Sequence, residues 1–214
     1  MRHRLEFLIV IVALITICFT NSSAETRIYS QILLKTSGTT SDTKPTFSLF
    51  LRQENRFRKS GLVLNKVFIG GVYGFSKIFS FRGYYAFKDL LYKGHFTKNM
   101  LVGDIIAKYR WGRYSFLDKN GNEWHITDKF YRYRNYFQIS CLTPLNRLKL
   151  WTADEIRFDS DQKRINMNDV RLGLCFTIRK NLTFSPFFDL ESKRRNKQQW
   201  EDTPFLGLFV SSSF

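Results

Sequence analysis

The sequence predicts an all-β chain: a single transmembrane up-and-down antiparallel β-barrel of about ten strands, within a range of eight to twelve, preceded by a cleaved signal peptide. Three observations predict it. The chain ends on an alternating segment, Phe205 to Phe214, whose last residue is aromatic. It opens on an export signal. Between the two, alternating segments recur from Arg27 onward with turn residues between them.

Arg2 and Arg4 form the positive start of the signal, and Phe7 to Phe19 is an apolar stretch of about 13 residues. That length suits a signal and is short for a membrane helix. Asn21-Ser22-Ser23-Ala24 places the cut after Ala24, giving a signal peptide over 1–24 and a barrel domain over 25–214. An uncleaved anchor is the rival reading. A lipoprotein signal at Cys18 is disfavoured by the bulky Ile17 before it.

The remaining residues contain no apolar run long enough for a membrane helix, so a membrane-bound chain crosses with strands. Aromatic residues make up 17% of the chain, with 22 Phe, which suits a barrel with interfacial girdles. The formal charge is +16. For an exported chain this favours outer-membrane lipid, lipopolysaccharide phosphates and small anionic solutes as partners, and not nucleic acid. The barrel assembly machinery is the further expected partner. The expected location is the outer membrane of a Gram-negative bacterium. No metal-ligand cluster and no cofactor motif is visible. Cys141 and Cys175 fall on strands two apart with opposite facing, beyond disulfide reach, and read as unpaired.

The predicted strands run in order over Arg27–Lys35, Thr46–Arg58, Leu62–Phe75, Ile78–Lys88, Leu101–Tyr114, Phe130–Leu142, Leu148–Phe158, Val170–Arg179, Leu182–Glu191 and Phe205–Phe214. In Val170–Arg179 the apolar set Val170, Leu172, Leu174, Phe176 and Ile178 opposes Arg171, Gly173, Cys175, Thr177 and Arg179. Short turns at Arg179–Asn181 and Thr143–Arg147 read as periplasmic. The polar segments Leu117–Lys129, Asp159–Asn166 and Ser192–Thr203 read as extracellular loops. The turn at Ser76-Lys77 then falls on the wrong side, which points to a missed strand between Ala86 and Asn99. A soluble β-sandwich or lipocalin-like barrel shares the alternation; the signal, the aromatic load and Phe214 favour the membrane barrel.

The back half carries Phe130-Tyr131-Arg132-Tyr133-Arg134-Asn135, then Pro144-Leu145, then Glu155 within Asp154-Glu155-Ile156-Arg157-Phe158, then Asn168, Arg171, Leu172, Gly173 and Leu174, and a terminal aromatic. This pattern resembles the domain of unknown function 2490 family of small outer-membrane β-barrel proteins, over Leu101 to Phe214, with a looser echo at Gln53-Glu54-Asn55-Arg56. The resemblance implies location and fold, and lends no catalytic residues.

If the apolar faces meet lipid, the lumen carries Arg52, Glu54, Arg56, Lys66, Arg82, Asp104, Lys108, Arg110, Arg132, Arg134, Glu155, Arg157, Arg171, Arg179, Asp189 and Glu191. Three functions follow. The first is a structural or surface-interaction barrel whose arginine-rich lumen is closed by ion pairs. The second is a narrow anion-favouring porin for small acidic solutes, since basic residues outnumber acidic ones. The third is an outer-membrane lipid hydrolase using His125, for which no catalytic constellation is recognised, so no enzyme is expected. Tyr109, Trp111, Tyr131, Tyr133 and Trp151 read as an interfacial girdle. Phe214 is expected to serve barrel assembly.

Overall fold

The computed structural model describes residues 25–35, 46–58, 60–91, 96–145, 147–194 and 199–213. The signal peptide and Phe214 therefore lie outside the described residues. So do Arg195, Asn196 and Lys197.

Eleven strands form one closed barrel: β1 (Glu25–Lys35), β2 (Thr46–Arg58), β3 (Gly61–Gly74), β4 (Phe79–Leu90), β5 (Phe96–Trp111), β6 (Tyr114–His125), β7 (Phe130–Leu142), β8 (Leu148–Asp159), β9 (Arg164–Arg179), β10 (Leu182–Arg194) and β11 (Trp200–Ser213). Each strand pairs antiparallel with its neighbours in sequence, and β1 closes on β11 in parallel, with Arg27 opposite Gly207 and Tyr29 opposite Phe209. The count lies within eight to twelve but is odd. An odd number of alternating strands leaves the first and last running the same way, so the closing pair cannot be antiparallel. The barrel is mixed at that one seam.

The additional strand is β6, in the segment read above as an extracellular loop, and not between Ala86 and Asn99. With β6 in place, Phe75–Ile78 joins Gly112–Arg113, Thr143–Arg147 and Lys180–Asn181 at one end of the barrel, which resolves the parity conflict. The other two supposed loops are also largely strand. β8 and β9 are separated by residues 160–163 alone, and β10 runs on to Arg194. The described connections are short at both ends.

Alternation sets the faces. Ile69, Ile105, Leu172 and Ile178 point outward, with Leu172 63% exposed, while Phe205 on the opposite face of β11 is 1% exposed. The interior is mixed. On the β2–β5 wall Phe50, Phe68, Tyr84, Ala86, Met100 and Val102 form a buried apolar cluster, with the Tyr84 ring edge-on to Phe50 and Phe68 at 5.7 Å each. The rest is charged. Trp151, read as a girdle residue, instead points into the lumen, where its indole donates to Ser185 Oγ at 3.0 Å. Tyr109, Trp111, Tyr131 and Tyr133 are exposed on the outer face as expected. Cys141 and Cys175 are free.

Candidate functional site

The inward charges gather into two networks. The first joins β8–β10 to β1 and β2. Arg27, fully buried on β1, donates to Asp189 at 2.5 Å and to Glu191 at 2.5 Å, both on β10. Glu191 also meets Arg56 at 3.4 Å, and Arg56 meets Glu54 at 2.9 Å. Asp189 leads to Arg171 at 3.2 Å, and Arg171 to Asp169 at 2.7 Å and Glu155 at 3.1 Å. Arg157 closes the group on Glu155 at 2.9 Å and Asp169 at 3.3 Å.

The second network spans β4–β8. Asp104 on β5 takes Arg82 through Nε at 2.7 Å and Arg134 at 2.8 Å. Arg134 also donates to the Tyr84 hydroxyl and lies 3.4 Å from Glu123. Glu123 lies 3.8 Å from Arg132, whose guanidinium forks onto Asp159; Asn166 donates to the same carboxylate. Bidentate arginine pairs of this kind satisfy buried carboxylates that would otherwise be strongly penalised.

These networks take up Glu54, Arg56, Arg82, Asp104, Arg132, Arg134, Glu155, Arg157, Arg171, Asp189 and Glu191 of the expected set. Five expected members stand elsewhere, among them Lys66, which lies over the Phe68 ring. Arg52 lies on aromatic rings, 4.6 Å from the centroid of Tyr29 and 5.1 Å from that of Phe68. Lys108 and Arg110 line the mouth at the turn end, where Arg110 donates to the Gly112 carbonyl at 3.3 Å. Arg179 is no network member: a register shift near the β9–β10 turn opposes it to Leu182, and it is exposed there.

Sequence reading missed Arg27, Glu123, Asp159 and Asp169. Arg27 opens the predicted strand Arg27–Lys35, and the three acids lie in segments whose sequence reads as loop or that fall between the predicted strands. These three acids alter the charge balance. The two networks hold seven arginines against eight carboxylates, so they are close to neutral within themselves.

The basic excess lines a cavity. A space of about 870 Å³ runs inward from the Phe75–Ile78 and Gly112–Arg113 turns to the networks. Among its described lining residues, twelve are Arg or Lys, from Arg52 to Arg171, and three are acidic, Glu54, Glu123 and Glu155. Lys119 stands 4.3 Å from the Tyr136 ring centroid, Lys66 stands 4.6 Å from that of Phe68, and Lys149 lines the same space. The walls between are aromatic: Tyr29, Phe68, Tyr136, Trp151, Phe187 and Phe209.

His125 is not on a loop. It ends β6, buried, with Nε2 3.2 Å from Glu123 Oε2 and its ring stacked on Phe130 at 4.2 Å. Among the described residues no group of three His, Cys, Asp or Glu is arranged to hold a metal ion.

No protein-family model and no curated protein matches the chain. Among solved structures, a KdgM porin is similar, with a TM-score of 0.47 and 14% identity, over 89% of this chain and 99% of that chain.

Proposed function

We propose that this chain is an outer-membrane barrel that admits small anions into a basic half-lumen, with the two ion-pair networks as its constriction. The observation that carries this reading is the lining of the 870 Å³ cavity, with twelve basic residues to three acidic ones. A low-dielectric wall focuses the field of such a set and favours anions at the mouth. The outward apolar residues support a lipid-facing wall, and the closed barrel leaves no strand edge unpaired in it.

A specific observation also favours a second reading, a sealed barrel with a structural or surface-interaction role. The networks are nearly neutral, and the Phe50–Phe68–Tyr84 cluster fills the β2–β5 side beside them. Small barrels are filled by side chains in this way. The hydrolase alternative gains nothing from His125, whose nitrogen and ring are engaged by Glu123 and Phe130.

Two measurements separate these readings. Fractionation of the producing cell is expected to find the mature chain with the outer membrane, and the barrel is expected to migrate differently before and after boiling. Recovery as a soluble periplasmic protein overturns the membrane reading. In liposomes, the anion reading gives chloride efflux faster than potassium efflux. The sealed reading gives neither above the rate of empty vesicles.

A further inference from the structure

The outer wall is not apolar throughout. On β6 the outward residues run Tyr114, Phe116, Asp118, Asn120, Asn122 and Trp124. Three polar residues in succession therefore lie between aromatic ones at either end of the strand. On β7, Asn135 sits between Tyr133 and Phe137, and on β8, Asp154 lies opposite Phe137. All face away from the lumen, because Lys119, Glu123, Arg134 and Glu155 on the same strands face into it.

The patch is organised. Asn120 donates to Asp118 Oδ2 at 2.8 Å, and Asn135 donates to Asp118 Oδ1 at 2.9 Å and to Asn120 Oδ1 at 2.9 Å. The Tyr133 hydroxyl, whose ring belongs to the outer girdle, reaches down to Asn120 at 2.6 Å. Other groups are left over. Asn122 is exposed, and Asp154 Oδ1 is buried without a hydrogen-bond partner, as is Oδ1 of the neighbouring outward Asn168 on β9. Acyl chains offer these groups nothing, and polar groups at membrane depth are expected to face protein.

We propose that the outward face of β6–β8 is the contact surface of a homodimer, with the Asp118–Asn120–Asn135 patch at its centre. Two barrels inserted in the same orientation and related by a two-fold axis along the membrane normal bring the same groups together at the same depth. An unrelated apolar wall would leave them as unsatisfied as lipid does. The patch is self-complementary: the exposed Asn122 amide offers both donor and acceptor, Asn120 keeps one amide hydrogen beyond its bond to Asp118, and the Asp118 oxygens keep further lone pairs. Asp118 enters the contact with both oxygens already covered by amide hydrogens, which limits repulsion between copies. On the β5 flank the small Ala107 lies opposite Asp118, while the Phe81 ring covers Gly103 opposite Asn122.

The inference rests on the membrane reading above but not on the anion reading. Its test is crosslinking in the outer membrane, in a Cys141→Ser, Cys175→Ser background. Asn122→Cys is expected to give a disulfide-linked dimer on mild oxidation, at least tenfold more than Leu51→Cys, exposed on β2 at the opposite side of the barrel. Asp118→Leu combined with Asn120→Leu and Asn135→Leu is expected to abolish the dimer formed by the purified chain while the barrel still migrates anomalously unless boiled. If the triple variant fails to assemble, Asn122→Leu alone serves. No crosslink at position 122 overturns the proposal, and so does a crosslink to a different polypeptide. Loss of the barrel's anomalous migration in the unmutated chain would instead overturn the membrane reading itself.

Discussion

Arg27 and Asp189 meet at 2.5 Å although β11 lies between their strands. The guanidinium reaches across that strand with its carbon 3.5 Å from the centroid of the Phe205 ring, and its other nitrogen binds Glu191. One side chain thus spans the parallel seam that closes the barrel. Parallel pairing is slightly weaker per residue than antiparallel, so the seam is where a side-chain clamp has most effect.

Arg27→Leu therefore strips two buried carboxylates of their shared cation, at a cost of about 3–5 kcal/mol. Thermal or urea unfolding of the purified barrel, followed by heat-modified migration on gels, measures it. A variant as stable as the parent would show that the clamp is dispensable.

Gly121 explains why β6 is hard to read. A Cβ at that position would collide with Asp104 Oδ1 and lie 3.2 Å from the Gly103 carbonyl, so the glycine makes room for the carboxylate that binds Arg82 and Arg134. Gly121→Ala is expected to push Asp104 off its partners and lower stability by about 1–3 kcal/mol. Gly112→Ala, at a positive-φ turn with open space around it, tests backbone strain separately.

The strands with one apolar and one charged face were legible in the sequence, and their facing agrees with the structure: Leu172 out and Arg171 in, Phe188 out and Asp189 in. β6 was not, because Asp118, Asn120, Gly121 and Asn122 carry turn chemistry. Its polar outward face hides the alternation that marks a membrane strand. The charge balance of the lumen is hidden in the sequence for the same reason. Glu123 lies on the missed strand, and Asp159 and Asp169 lie at strand ends that extend further than the apolar pattern. The interior apolar cluster around Tyr84 was likewise hidden, since alternation separates two faces without saying that the inner one is polar throughout.

Facing is testable on β9. In the proposed membrane setting, Leu174→Arg would place a charge against lipid and is expected to destabilise the barrel by about 2–4 kcal/mol if it sits near the midplane. Arg171→Ala acts from within, leaving Asp169, Asp189 and Glu155 short of a partner. A lipid-soluble thiol reagent is expected to label Leu174→Cys and to spare Arg171→Cys. The reverse pattern would exchange inside and outside.

The cavity cations outside the networks are separable from stability. Lys119 faces the Tyr136 ring and Lys149 lines the same space, and neither belongs to the two ion-pair networks. Lys119→Gln with Lys149→Gln is expected to leave assembly intact and to weaken the anion bias of any conductance. The effect is expected to be larger at low ionic strength, where screening is weaker.

The reversal potential of single barrels in a planar bilayer, under a tenfold potassium chloride gradient, tests the account most directly. A half-lumen lined by twelve Arg and Lys side chains to three acidic ones, with five of the arginines held in the ion-pair networks, predicts a reversal potential of the sign set by chloride, reduced by the Lys119→Gln, Lys149→Gln variant. A potential of the sign set by potassium, or bilayers that hold folded barrels and show no conductance above background, would contradict it.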